Sequence, residues 1–391
     1  MNALQPVPQI PPVPAVGRKN WVVRCLLAIL FLALLVPLAL QGLAGYSPAI
    51  EVRNRVDSLG GRVNLSPTVP EFIQSMAGKD WNGWDQFYGG VAVDQIMLSQ
   101  TSIGDADLDL LKRTPGLRKL ELRSTKITDA GIGKISQAHR LRQLDLVGTQ
   151  ISDAGLDQLQ SLTDLREMAI GVTSVTDNGA AKLLALKNLA VLDMSETKIT
   201  DAALKTFSEM PNLKTLVLSK CNLTDDGLVS LKNCKSLTSL SLDGIPLTGR
   251  FLNELVDVPL EYLTLDNTKC DGTEFQGLEK LKTLKMLSLN NCPFEDSGIA
   301  AIATIPNLDT LSLDNTKITD QGIAGFKDMP LLKSLSIAST PISVQSLRVF
   351  KTTPSLRVIK AFNTKVTMEE AGELAKEVDS FLVLVSAPHG A

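Results

Sequence analysis

The side chains best placed to hold a ligand form a polar strip written at one spacing. Ser241, Thr264, Ser288, Ser312 and Ser336 recur in one column, and Asp243, Asp266, Asn290 and Asp314 recur two positions further on, flanked by Asn267, Asn291 and Asn315. Hydroxyls, carboxylates and amides in such rows offer donors and acceptors to a polar partner. Two readings stand at this point: a ligand-binding strip, and an ordinary solvated sheet face.

Other chemistry finds little support. The chain has two histidines, His139 and His389, which leaves little room for histidine-based metal or acid–base sites. No GxSxG, P-loop, HExxH or CxxC pattern occurs, so neither a catalytic group nor a cofactor or metal site is expected. The carboxylate pairs Asp225-Asp226 and Glu369-Glu370 fall at predicted helix starts, where they offset the helix dipole. Of five cysteines, Cys25 lies in an apolar run. Cys221, Cys234, Cys270 and Cys292 read as small buried residues, with a Cys270–Cys292 bridge left open. With 39 basic and 42 acidic residues the balance is not that of a nucleic-acid binder.

The elements that position the strip come from a repeat. Leu117, Leu141, Leu165, Leu189, Leu213 and Leu237 are 24 residues apart; after one 23-residue step the series resumes at Leu260, Leu284, Leu308, Leu332 and Leu356. Val93 extends it backwards, giving 12 units. In each, LxxLxL predicts a short strand with alternate side chains inward. A Thr or Cys follows (Thr125, Thr149, Thr173, Thr197, Cys221), suited to satisfying backbone groups at a tight turn. Then Thr128-Asp129, Ser152-Asp153, Thr176-Asp177 and Thr200-Asp201 read as an N-cap plus a first-turn acid. Apolar residues at helical spacing complete the unit, as at Leu156, Leu159 and Leu162. The acid is missing at Gly249, Gly272, Val344 and Met368, which predicts shorter or irregular helices there. Stacked copies bury what one cannot, so the pattern predicts an α/β right-handed solenoid, with a parallel inner sheet and short outer helices.

The unit LxxLxLxxTxITDAGLxxL resembles the leucine-rich repeats of the cysteine-containing subtype, found in F-box substrate adaptors and in bacterial membrane-anchored repeat proteins. The resemblance spans about residues 93–372 and implies a horseshoe that recognises other macromolecules. Thr dominates where the subtype favours Cys, and residues 46–92 carry no evident F-box, which speaks against a ubiquitin-ligase adaptor.

Five segments result. Residues 1–20 are proline-dense and predicted to be a disordered tail. Residues 21–45 contain the apolar run Cys25–Leu40, extended through Ala44 to the length of a transmembrane helix. Arg18, Lys19 and Arg24 precede it, predicting a cytoplasmic amino terminus and repeats outside the cytoplasm. The alternative is a secreted protein cleaved near Ala44. Residues 46–92, with Trp81, Trp84, Phe87 and Tyr88, are expected to cap the first repeat; 93–372 are the repeats; 373–391 close the far end. The expected function is non-catalytic recognition of a protein or other macromolecule by a membrane-tethered solenoid, with self-association in an envelope structure as the alternative.

Overall fold

The computed structural model describes residues 48–67, 91–378 and 381–386. The proline-rich tail, the apolar segment 25–44 and the aromatic cluster at 81–88 lie outside the described residues. Among the described residues no helix is long and apolar enough to cross a membrane. The chain divides into two units, residues 1–51 with 65–92 and residues 52–64 with 93–391. Little of the first falls within the described residues; the second holds the repeats.

A fourteen-stranded sheet runs in chain order. It starts with β1 (Arg62–Pro67) and β2 (Val91–Met97) and continues through three-residue strands from β3 (Lys119–Glu121) to β14 (Leu382–Leu384). All pairings from β2 to β14 are parallel. The central leucine of LxxLxL points inward, with Leu120, Leu192 and Leu216 fully buried, while its neighbours stay partly exposed on the open face. The 23-residue step does not disturb the register: Leu240 still pairs with Leu263. The residue is lost from the loop before Leu260, where Val258-Pro259 replaces the longer Cys234-Lys235-Ser236.

After each strand from β2 to the one before β14 the chain turns through one residue in the left-handed region, for example Ser124, Gly148, Glu196, Lys220 and Asn267, with φ between 54° and 68°. The following threonine closes this turn. Thr125, Thr149 and Thr316 donate Oγ1 to the carbonyl three residues back, at 2.6, 2.6 and 2.7 Å. Where cysteine replaces threonine, the thiol reaches across to the preceding unit. Cys221 Sγ donates to the Met194 carbonyl at 3.2 Å, already bonded by Thr197, and Cys292 repeats this on Leu265.

On the outer side the Thr-Asp pair does more than cap a helix. Thr176 Oγ1 accepts from the Asn178 N–H of its own helix (Asp177–Lys182) and donates to Asp153 Oδ2 of the preceding unit at 2.6 Å. Asp153 Oδ1 accepts the Thr176 N–H at 2.8 Å. The same two-pronged bond links Asp105–Thr128, Asp129–Ser152, Asp177–Thr200, Asp201–Thr224, Asp296–Thr319 and Asp320–Ser343. It also explains the glycine that follows: a Cβ on Gly155 would stand 2.5 Å from Asp129 Oδ1, and one on Gly179 2.3 Å from Asp153 Oδ1. Ala203 occupies that column beside an intact Asp177–Thr200 bond, so the bond tolerates a methyl in that unit.

The missing acids act unevenly. Between Leu228 and Ile299 the outer side holds only 3-10 turns, such as Arg250–Glu254 and Leu278–Lys280. Gly249 (φ 94°) and Gly272 (φ 96°) replace the capping acid there. Phe275 and Phe294, with ring centroids 5.7 Å apart, fill the space. At Met368 the expectation of an irregular helix is wrong. Met368–Glu377 is a full ten-residue helix, because Thr367 and Glu370 form a reciprocal capping box that supplies the missing acceptor.

Candidate functional site

All nine residues of the polar strip come together on the open face of the sheet, in strand register Ser241–Thr264–Ser288–Ser312–Ser336. They are also bonded to each other. Asp266 Oδ1 accepts Ser288 Oγ at 2.6 Å and the Asn290 N–H at 2.8 Å, and its Oδ2 accepts Asn290 Nδ2 at 3.1 Å. Asn290 Oδ1 accepts Ser312 Oγ at 2.7 Å and the Asp314 N–H at 2.8 Å. Asp314 Oδ1 takes Ser336 Oγ and the Ala338 N–H, both at 2.7 Å. At the other end Asp243 holds Ser241 Oγ and the Asp266 N–H, each at 2.9 Å. Ser241 Oγ also accepts from Thr264 Oγ1 and meets Ser219 Oγ, again at 2.9 Å. Side chains at residues i and i+22 to i+24 thus satisfy one another across units. Ser288 and Ser336 are buried by it, at 6% and 8% exposure. The strip lies in the column where a ligand was expected, but much of its bonding capacity is spent on the sheet itself.

The units before it differ. Over β3, β4 (Gln143–Asp145), β5 (Glu167–Ala169) and β6 (Val191–Asp193) the open face dips into a depression of about 220 Å³. Ala169 is among the residues that line it. In register it stands between Asp145 and Asp193, so a methyl replaces a carboxylate in that column. The rim is mostly acidic. Lys119 pairs with Glu121 at 2.7 Å and Arg123 with Asp145 at 3.1 Å. Asp193 Oδ1 accepts the Ser195 N–H and hydroxyl. Glu167 is exposed and makes no side-chain hydrogen bond or ion pair among the described residues. Sequence reasoning passed over this site, although one signal was present: the column Glu121, Asp145, Ala169, Asp193 has a gap at its third member.

Neither location carries a cysteine or a histidine. The four described cysteines are free and buried. Burial pushes the Cys234 thiol up to about 11 and the Cys270 thiol up to about 12, far from a reactive thiolate at neutral pH. His139 is exposed in the loop before Leu141. Among the described residues no group of three His, Cys, Asp or Glu is placed to hold a metal ion.

Such a stack of strand, turn and short outer helix defines a class, the leucine-rich-repeat solenoids. Family profiles described as leucine rich repeat match residues 185–247 and, separately, 117–136, 138–159 and 280–303. The stretches those profiles match are leucine-rich repeats. Among solved structures it is similar to internalin InlF from Listeria monocytogenes, with 20% identity over 82% of this chain and 90% of that one, at a TM-score of 0.56. Weaker likenesses are a plant peptide hormone receptor, RGFR1, solved in complex with RGF2 (16% identity, 70% of this chain, 47% of that one, TM-score 0.43), and internalin C2 from the same Listeria species (20% identity, 60% and 84%, TM-score 0.39). No curated protein matches the chain in sequence.

Proposed function

We propose that the chain is a non-catalytic recognition protein that binds a protein ligand through the open face of its sheet. The anchor point is the depression over Ala169. One observation carries this reading: the depression is the part of the face where a gap in the side-chain columns leaves both room and an unengaged carboxylate, Glu167. Concave solenoid faces are general binding surfaces, and a rigid sheet presents side chains with little ordering cost on binding. Residues 25–44 tether the protein to a membrane, with the amino terminus cytoplasmic and the repeats outside. The support for that is the length of the apolar run and the basic residues ahead of it. A protein whose mature amino terminus is Gly45 would contradict the tether.

The test is crosslinking in intact cells followed by capture of the full chain. Ala169→Trp fills the depression and should abolish capture of a defined partner at unchanged stability. Thr264→Val, in the strip, should leave capture intact. Loss only with Thr264→Val would move the site to Ser241–Ser336 and overturn the depression. A second reading, self-association, has one observation in its favour: Phe362 and Leu382 are 40% and 55% exposed near β14, the last strand of the sheet. It predicts that the captured partner is chiefly another copy of this chain.

A further inference from the structure

The loops that lead from each outer helix into the next strand form one rim of the solenoid, and its charge changes along the stack. From the unit of Leu141 to that of Leu237 the rim exposes Arg140, Arg142, Arg166, Lys187, Lys214 and Lys235 against two acids, Asp164 and Glu209. None of the six cations has an ion pair among the described residues. Further along, the column of Arg142, Arg166 and Lys214 is partly neutralised one unit upstream: Lys285 pairs with Glu261 at 2.8 Å and Lys333 with Asp309 at 3.0 Å, while Lys282 and Arg357 stay without an ion pair among the described residues. The rim is stiff. Arg142 N–H bonds the Arg118 carbonyl, Arg166 N–H the Arg142 carbonyl, and Lys214 N–H the Ala190 carbonyl, all at 2.8–2.9 Å. Asn188 and Asn212 tie the adjoining loops to the units before them, each at 2.8 Å. The cations therefore recur on the loops of five successive units, a stretch of about 20 Å at one strand spacing per unit.

We infer that this rim docks onto the anionic headgroups of a lipid bilayer. The inference rests on the tether proposed above, which keeps the repeats within reach of a bilayer and makes docking intramolecular. Cations repeated on hydrogen-bonded loops suit an extended anionic surface, and each cation held there strengthens the contact by about fivefold. Docking by this rim would fix the orientation of the solenoid and leave the open sheet face turned to the side, accessible to a partner.

The full chain is reconstituted into phosphatidylcholine discs with or without about a third of phosphatidylglycerol, each carrying a headgroup nitroxide. A fluorophore sits at His139→Cys on the rim or at Gln150→Cys beyond the strand, in a Cys25→Ser background; the remaining described thiols are buried. Quenching at 139 should be at least about fivefold greater in the anionic discs, vanish at high salt, and vanish in Arg142→Glu/Arg166→Glu/Lys214→Glu, with the label at 150 unaffected throughout. Equal quenching in both lipids, or none in either, overturns the inference. A change in the fluorescence of the 139 label on adding duplex DNA, with no quenching in either disc, would instead assign the rim to nucleic acid. If the chain does not enter discs at all, the tether fails, and the same labelled protein mixed with anionic vesicles decides the rim alone.

Discussion

The two halves of the open sheet face are both polar but are built from different residues and behave differently. From β8 (Ser239–Ser241) to β12 (Ser334–Ser336) short hydroxyls sit beside Asp and Asn at a two-residue offset. At that geometry a carboxylate of one unit reaches both the hydroxyl and the backbone N–H of the next. From β3 to β6 the same positions mix Glu121, Arg123, Asp145 and Asp193 with Val147 and Gly171; Arg123 pairs with Asp145 across units, and Ala169 interrupts the row. A polar surface is thus not equivalent to an available one. What decides is whether the units satisfy each other first.

The largest expected effect comes from that contrast. Asp266→Ala removes the acceptor for Ser288 Oγ, the Asn290 N–H and Asn290 Nδ2 together, and should destabilise by about 2–4 kcal/mol in denaturant melts. Glu167→Ala, on the other half, should change stability by less than about 0.5 kcal/mol. Equal effects would erase the distinction.

On the outer side, Asp153→Ala strips both bonds to Thr176 and should cost about 1.5–3 kcal/mol. Gly249→Asp, aimed at restoring the missing acid, should not recover this, since a Cβ there would stand 2.3 Å from Phe275 Cε1 and the backbone is left-handed. Thr149→Val leaves the turn without its bond to Leu146 and should cost about 1–3 kcal/mol, with Thr149→Cys milder.

Val172 sits in the left-handed turn column at φ 55°, half exposed, where a β-branched residue is strained. Val172→Asn should therefore stabilise by about 0.5–1 kcal/mol; a loss would show that the valine makes a compensating contact.

The smallest effect is electrostatic. Burial raises the Asp320 carboxyl, but bonds from the Ser343 N–H and Oγ outweigh it and leave it below the ordinary value of 3.8. Its contribution is complete above that value and is lost as pH falls through the lower folded one. Ser343→Ala should flatten the acid limb of a stability–pH curve.

Much of this molecule was legible in its sequence. Leucines at 24 residues fixed the strand register, and the Thr column announced a turn hydrogen bond that the structure places on the carbonyl three residues back. What stayed hidden depends on atoms brought together across units. Asp153 reads as a first-turn acid, and nothing local reveals that it holds Thr176 or that Gly179 is small to make room for it. The strip was visible as a row of polar residues, but its mutual bonding requires the stacked register to be known. Ala169 appeared as one small residue in a column, and only the packed sheet turns it into a depression.

The central claim is that the interrupted half of the face, not the bonded half, receives the ligand. Hydrogen exchange on the full chain with and without its captured partner tests this most directly. Protection confined to residues 143–147 and 167–171 is the predicted result. Protection confined to residues 264–268 and 288–292, with the earlier segment unchanged, would contradict it.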